Sequence, residues 1–351
     1  MALGKYCKVG GAIKTITGEY TKVGGVIKMG TINCPKIGGA IKSIPIAERM
    51  IFAGEIDSDR LYAIDGDHAV VAGWPKYGGG IADPLDVACD DANNSYWACA
   101  NNVYKVEADG TIAWTYTGHT VPVTAICVDV DGNVYTGDAN GNVKRLNSSG
   151  VQVWTKVPYA GTVHALAVDY STGVLYAAFG IAAAGRIIRF HIVNGNYMNI
   201  YYQAAVNFFS IAIDEVTPSL YIGDNAGWLK KISTAGYEYW EGGVSKGGEI
   251  YAVRVGHDGY GYYVNGSQGD VGKFTLSDGG NVWTDQPAGT SRGLAVDQAG
   301  NVYSSHGAYG SVNAVIRKNN SSGVEQWTWR AYANSEWRGV AVSPGIKAAG
   351  F

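Results

Sequence analysis

Seven short apolar runs recur along the chain, most of them ending in Asp. They are "LDVACD" (85–90), "TAICVD" (124–129), "HALAVD" (164–169), "FSIAID" (209–214), "YAVRVG" (251–256), "RGLAVD" (292–297) and "RGVAVS" (338–343). Their starts are 39, 40, 45, 42, 41 and 46 residues apart. Runs that are apolar on both faces suit inner strands packed between neighbours. A turn and a second strand follow, as in "DGNVYTGD" (131–138) and "AGNVYSSH" (299–306). A polar Gly/Asn turn then leads to a third strand such as "NVKRLN" (142–147). No stretch reads as an amphipathic helix of three turns or more.

Each unit closes on a Gly with a Trp four residues later: Gly110/Trp114, Gly150/Trp154, Gly236/Trp240, Gly279/Trp283 and Gly323/Trp327. The fourth unit keeps Gly195 but has Asn199 in place of the Trp, and in the first Trp74 stands later after Gly66. Four short strands per repeat of this length predict an all-β, seven-bladed β-propeller over residues 50–351. The Gly permits the tight turn between third and fourth strands, and the Trp can bury its ring between blades. The first unit, "MIFAGEIDSDRLYAID" (50–65), has no preceding inner run, whereas the seventh run lies at the C-terminal end. The last strand is therefore expected to complete the first blade and remove the open edge.

Ahead of these units lies a shorter repeat. "KVGGAIK" (8–14), "KVGGVIK" (22–28) and "KIGGAIK" (36–42) follow one another at a step of 14 residues. Each reads as a hairpin turning on Gly-Gly, so residues 1–49 form a three-repeat β-hairpin arm. Hairpins of this size are marginal in water and need something to order against. Seven Lys and Arg49 against Glu19 and Glu48 give the arm a balance of +6, which leaves −9 on the remainder of a chain whose net charge is −3. A basic arm on an acidic body is a docking signal, with Lys8, Lys14, Lys22, Lys28, Lys36 and Lys42 as the attachment residues.

Composition agrees with an all-β chain: 50 Gly, 24 Tyr and 10 Trp among 351 residues, with only 16% charged. "MALGKYCKVGG" lacks the apolar core of a signal peptide, and no apolar run approaches the roughly 18 residues that span a bilayer. Neither export by that route nor membrane insertion is expected. Cys7, Cys34, Cys89, Cys99 and Cys127 are odd in number and form no metal-type pair, so they read as reduced thiols of a protein made in a cytoplasm.

The x-Gly-x-x-x-Trp ending resembles the docking motif of quinoprotein-type propellers, and "GLAVDQAGNVY" (293–303) is similar to NHL-type and gluconolactonase-type repeats. Both are scaffold motifs shared by unrelated functions. The triplet Tyr-x-Lys-Val-Gly-Gly-x-x-Lys, carried by Tyr6–Gly11 and Tyr20–Gly25, resembles units near the ends of tailed-phage and prophage structural proteins. The third copy departs from it, with Cys34 in place of the Tyr. That resemblance implies a tail- or fibre-associated virion protein, assembled in a host cytoplasm, whose arm meets other virion structural proteins, with a homo-oligomer in the assembly.

Little chemistry accompanies the fold. There is no adjacent cysteine pair for a quinoprotein cofactor, and the inner runs begin with Leu85, Thr124, His164, Phe209, Tyr251, Arg292 and Arg338, which is not a metal set. "DVDGN" (129–133) opens like a calcium loop but lacks the downstream acidic ligand and reads as a turn. None of the six His has i, i+4 metal spacing, and there is neither a Gly-x-Ser-x-Gly elbow nor a phosphate loop before a helix. No catalytic residue, metal or cofactor is expected. An acidic propeller also argues against duplex nucleic acid.

The expected binding face carries the loops "GDANGN" (137–142), "GDNAGW" (223–228), "NGSQGD" (265–270) and "SSHGAYG" (304–310), joined between blades by "TGHTVP" (117–122), "VPYAGT" (157–162) and "ANSEWRG" (333–339). Within them Asp138, Asp224, Trp228, Tyr159, His306, Tyr309 and Trp337 are the candidate ligand contacts. The function expected is nonenzymatic: an arm docked on a particle and a propeller exposed to bind a host-surface glycan or protein, or to decorate the particle. The alternatives are a secreted or cell-surface carbohydrate-binding propeller and a propeller hydrolase or oxidoreductase.

Overall fold

The computed structural model describes residues 49–181, 184–266, 269–287, 289–307, 315–330 and 336–343, together with strand segments at 5–9, 12–16, 22–23 and 26–27. The chain divides into two compact units, Met1–Ala47 with Gly345–Phe351, and Glu48–Pro344. Among the described residues the regular structure is all strand.

The larger unit is a seven-bladed β-propeller. Blades 2 to 7 are four-stranded antiparallel sheets in simple sequential order. Their inner strands are Pro84–Cys89, Val123–Val128, Thr162–Asp169, Phe208–Asp214, Ile250–Val255 and Ser291–Val296. Blade 1 pairs Ile51–Glu55 with Arg60–Ile64 on one side and Trp337–Val342 on the other. The ring thus closes as the repeat pattern requires. Met50 N donates to Ser343 Oγ at 3.0 Å, and Ser343 N returns the bond to Met50 O at 3.0 Å.

The second strands form the middle of each blade. Ser95–Cys99, Val134–Asp138, Ser219–Asp224 and Val302–His306 are buried along their whole length, because each lies between two strands and two neighbouring blades. Outer strands such as Ile112–Tyr116 and Asn281–Asp285 alternate toward solvent.

The Gly–Trp spacing works across the blade boundary. The indole N–H of Trp114 donates to Ser148 O in the next blade at 3.0 Å, Trp154 to Ile192 O at 2.9 Å, Trp240 to Ser277 O at 2.8 Å and Trp283 to Ser321 O at 3.1 Å. Trp74, displaced in sequence, does the same with Ala108 O at 3.2 Å. The acceptor turn contains the next blade's Gly, which has positive φ (+80° at Gly150, +83° at Gly323) and lies against the incoming ring of Trp114, Trp154, Trp240 or Trp283. Blade 4 has Asn199 where the Trp would be, and the Ile200 carbonyl fills the space over Gly236 instead.

The Asp that ends five of the seven runs is a turn anchor. Asp129 Oδ1 accepts from the backbone N–H of Asp131 (3.0 Å) and Asn133 (2.9 Å), and Oδ2 from Asn133 Nδ2 and Tyr135 Oη (both 2.9 Å). Asp90 and Asp297 bind their own Asn and Tyr partners in the same pattern. "DVDGN" is turn chemistry of the Asx kind.

In the smaller unit, Lys5–Val9 pairs antiparallel with Ala12–Ile16, from Val9↔Ala12 outward, and Lys22–Val23 pairs with Val26–Ile27. Two of the three hairpins are present, each leaving two glycines between its strands. Lys8, Lys14 and Lys22 fall on these strands, whereas Lys28, Lys36, Lys42 and the third hairpin lie outside the described residues.

Candidate functional site

Every inner strand breaks register once near its start. The pairing skips Leu85, Thr124, His164, Phe209, Tyr251 and Arg292 in blades 2 to 7, and Gly339 in blade 1. A bulge leaves one residue out of the ladder and turns its side chain away from the sheet. Six of the seven bulges aim a side chain at the channel, and the seventh sets Gly339 on its wall beside Arg338. They surround a cavity of about 340 Å³, with Asp86, Arg254 and Arg338 also on its wall.

The wall is divided by chemistry. On blades 4 to 6 it is aromatic: His164 meets Phe209 edge-on with centroids 4.8 Å apart, and Phe209 stacks on Tyr251 at 5.3 Å with planes 8° apart. On blades 7 and 1 it is cationic. The Arg292 guanidinium lies over the Tyr251 ring at 4.7 Å, close enough for a cation–π contact. Arg338 Nε donates to Glu336 Oε1 at 3.0 Å, and Arg292 Nε faces the same oxygen at 3.1 Å without hydrogen-bond alignment. One carboxylate therefore serves two guanidinium groups.

Asp86 and Arg254 stand deeper. The second position of the runs holds Asp86, Ala125, Ala165, Ser210, Ala252, Gly293 and Gly339, and the fourth holds Ala88, Cys127, Ala167, Ala212, Arg254, Ala295 and Ala341. Small residues let seven strands converge on the axis. Asp86 and Arg254 each break that rule once, on blades 2 and 6. Asp86 Oδ1 accepts from Val87 N at 2.9 Å and Oδ2 from Ile126 N at 3.0 Å. Burial in the channel wall still pushes its carboxyl up to about 6, against the pull of Ile126 N–H and the Arg254 charge. Arg254 donates one terminal nitrogen to Val253 O at 2.9 Å. Burial lowers its pKa and Asp86 opposes this, and a guanidinium stays charged at neutral pH. His164, held down to about 4 by burial, is neutral and belongs to the aromatic wall.

This arrangement differs from the loop-face expectation. None of Asp138, Asp224, Trp228, Tyr159, His306 and Trp337 lines the cavity, and Tyr309 lies outside the described residues. Four of these candidates are fully buried. Asp138 Oδ2 meets His119 Nδ1 at 2.9 Å while His119 Nε2 meets Thr136 Oγ1 at 2.9 Å, so Asp138 fastens the strand-joining loop to the blade. Burial raises the Asp138 pKa, but the His119 and Asn142 hydrogen bonds outweigh it and leave the carboxyl below its ordinary value. Asp224 binds the backbone N–H of Ala226 (2.9 Å) and Trp228 (2.8 Å), and its Oδ2 has no partner among the described residues.

His306 bridges Ser291 Oγ and Ser304 Oγ at 2.7 Å each, and burial holds it down to about 3. Trp337 packs against Tyr62 and Trp329 in the core of the closing blade. Only Trp228, 40% exposed, and the half-buried Tyr159, whose ring carries Arg186 at 4.3 Å, remain at the surface. Asp138 and Asp224 each give one oxygen to the backbone turn that follows them.

The channel wall is legible in the sequence only in part: the inner-run starts carry no metal set, and the signal that points to the channel is the pair of exceptions, Asp86 and Arg254, to two otherwise small columns.

No family model and no curated protein matches the sequence. The fold has many solved counterparts. One belongs to a structure described as the mitotic checkpoint complex, with a TM-score of 0.60 and 18% identity over 71% of this chain and 80% of that one. Another is the computationally designed Ika8 protein, with a TM-score of 0.60 and 14% identity over 83% and 86%. At these identities the likeness is one of fold. The chain is a β-propeller.

Proposed function

We propose that this protein is a nonenzymatic recognition propeller, carried on a larger particle by its basic N-terminal arm. The observation that carries the reading is the convergence of seven bulged inner strands on one 340 Å³ cavity with an aromatic half and a cationic half. Such a depression suits capture of a ligand group presented end-on. The triplet repeats, similar to those of tailed-phage structural proteins, support a virion as the particle, with other virion structural proteins as partners of residues 1–49 and a host-surface glycan or protein as the target. The +6 balance of the arm supports electrostatic docking to an acidic surface.

The test has two arms. Particles assembled with a chain lacking residues 1–47 should lose the propeller while the truncated protein still folds and binds its target. Glycan- and cell-binding assays on the full chain should give a signal that Arg338→Gln abolishes. A chain that joins particles without its arm, or that binds no surface at all, contradicts the proposal.

A further inference from the structure

We infer that the channel mouth takes an acidic sugar unit, with its carboxylate on the arginines and its hydroxyls on the opposite wall. This rests on the recognition reading above and names the ligand class of that same cavity. Three guanidinium groups, Arg254, Arg292 and Arg338, face it, against Glu336 and Asp86. Glu336 is shared by two of the arginines, and Asp86 meets Arg254 only through the field of the channel, without a direct ion pair. The wall is therefore net cationic although residues 50–351 carry −9. Arg338 commits Nε alone, and Arg254 one terminal nitrogen, to protein acceptors among the described residues. The rest of each planar fork is available to a carboxylate, which it matches in a two-point contact.

The aromatic sector reinforces the sign. Phe209 and Tyr251 turn faces to one another, and Arg292 covers Tyr251. The negative faces of these rings are thus largely occupied along the circumference, which leaves their electropositive edges to the cavity. Thr124 Oγ1 donates to Val163 O at 2.6 Å. Its hydroxyl proton is thereby directed into the sheet, and the oxygen is left as an acceptor for a ligand O–H group. An acid group with a ring of hydroxyls uses both halves of the wall. A peptide laid as a strand needs an open edge, which a mouth closed by seven blades lacks.

The experiment uses the full chain and calorimetric titration with glucuronic acid, N-acetylneuraminic acid, glucose and a blocked aspartyl dipeptide. The expected result is binding of at least one acidic sugar, no measurable binding of glucose, and a loss of about tenfold or more in Arg338→Gln and in Arg254→Gln. Folding of both variants is checked by their thermal transitions, and Arg338→Lys, which keeps the charge but not the fork, should recover only part of the affinity. Equal binding of glucose, or tighter binding of the dipeptide than of either acidic sugar, overturns the inference. Neutral glycans that bind on an array and are lost in Arg338→Gln would overturn this ligand class while leaving the recognition reading intact. Silence on every surface and with every probe would sink both.

Discussion

Asp86 and Arg254 reach the same channel from blades 2 and 6, and each feels the other's charge without a direct ion pair. Both interrupt columns of small residues, so neither is needed to let the strands converge. They are the two charged residues in otherwise small columns, and their cost to the fold is open to measurement.

Asp86 has a folded-state pKa raised to about 6, above its ordinary 3.8. Between these values the folded protein holds the proton that the unfolded chain releases, so this group's contribution to stability falls as pH rises from about 4 to about 6. Asp86→Asn removes that slope. The difference in unfolding free energy between variant and wild type should shift in the variant's favour by about 2 kcal/mol from pH 4 to pH 7.5 in urea titrations. A constant difference would mean an unperturbed carboxylate.

His164 and His306 behave in the opposite sense. Burial holds them down to about 4 and about 3. The unfolded chain therefore takes up the protons first, and their contribution to stability is complete above about pH 6.5 and lost as pH falls through the range below it. Imidazole NMR signals of both should stay at their neutral positions at pH 5. A midpoint near 6.5 for either would contradict the burial described.

Gly150→Ala tests the blade boundary. Its φ of +80° disfavours a side chain, and a Cβ would lie 2.7 Å from Trp114 Cδ2. The expected loss is about 2 kcal/mol in denaturant unfolding. Trp114→Phe keeps most of the ring but drops the bond to Ser148 O, and should cost about 1 kcal/mol.

Asp138 and Asp224 occupy equivalent turns with different partners. Asp138→Asn sets an amide against the Asn142 amide and His119, and should cost about 1–2 kcal/mol. Asp224→Asn changes an oxygen that has no partner on a carboxyl that burial raises, and should be neutral or stabilising at pH 8. Thermal melts of the two variants side by side separate these outcomes, and an equal loss in both would refute the distinction.

Trp337→Ala tests the closure. The ring is fully buried between Tyr62 and Trp329 on the strand that seals blade 1, and its loss should cost about 3–5 kcal/mol. Limited proteolysis should then cut first in residues 50–64. Unchanged resistance there would show that the seal does not depend on this strand.

The blade count, the inner strands, the tryptophan docks and the C-terminal closure were readable from residue order alone. A strand covered on both faces must be apolar throughout, a tight turn needs Gly, and an indole in an interface needs a fixed offset from it; each demand leaves a local mark that repeats. The candidate site was not marked in that way. Asp138, Asp224 and His306 look like ligand contacts in polar loops, yet all three are fully buried, Asp138 and His306 with both side-chain heteroatoms bonded and Asp224 with one oxygen bonded to its own turn. The bulge that aims Phe209, Tyr251 and Arg292 into the channel is a one-residue slip in pairing, invisible to periodicity. Sequence by itself determined the ring, because burial writes its pattern along the chain. Only the tertiary structure decided which polar side chains meet solvent in one place, because residues 39 to 46 positions apart become neighbours when the ring closes.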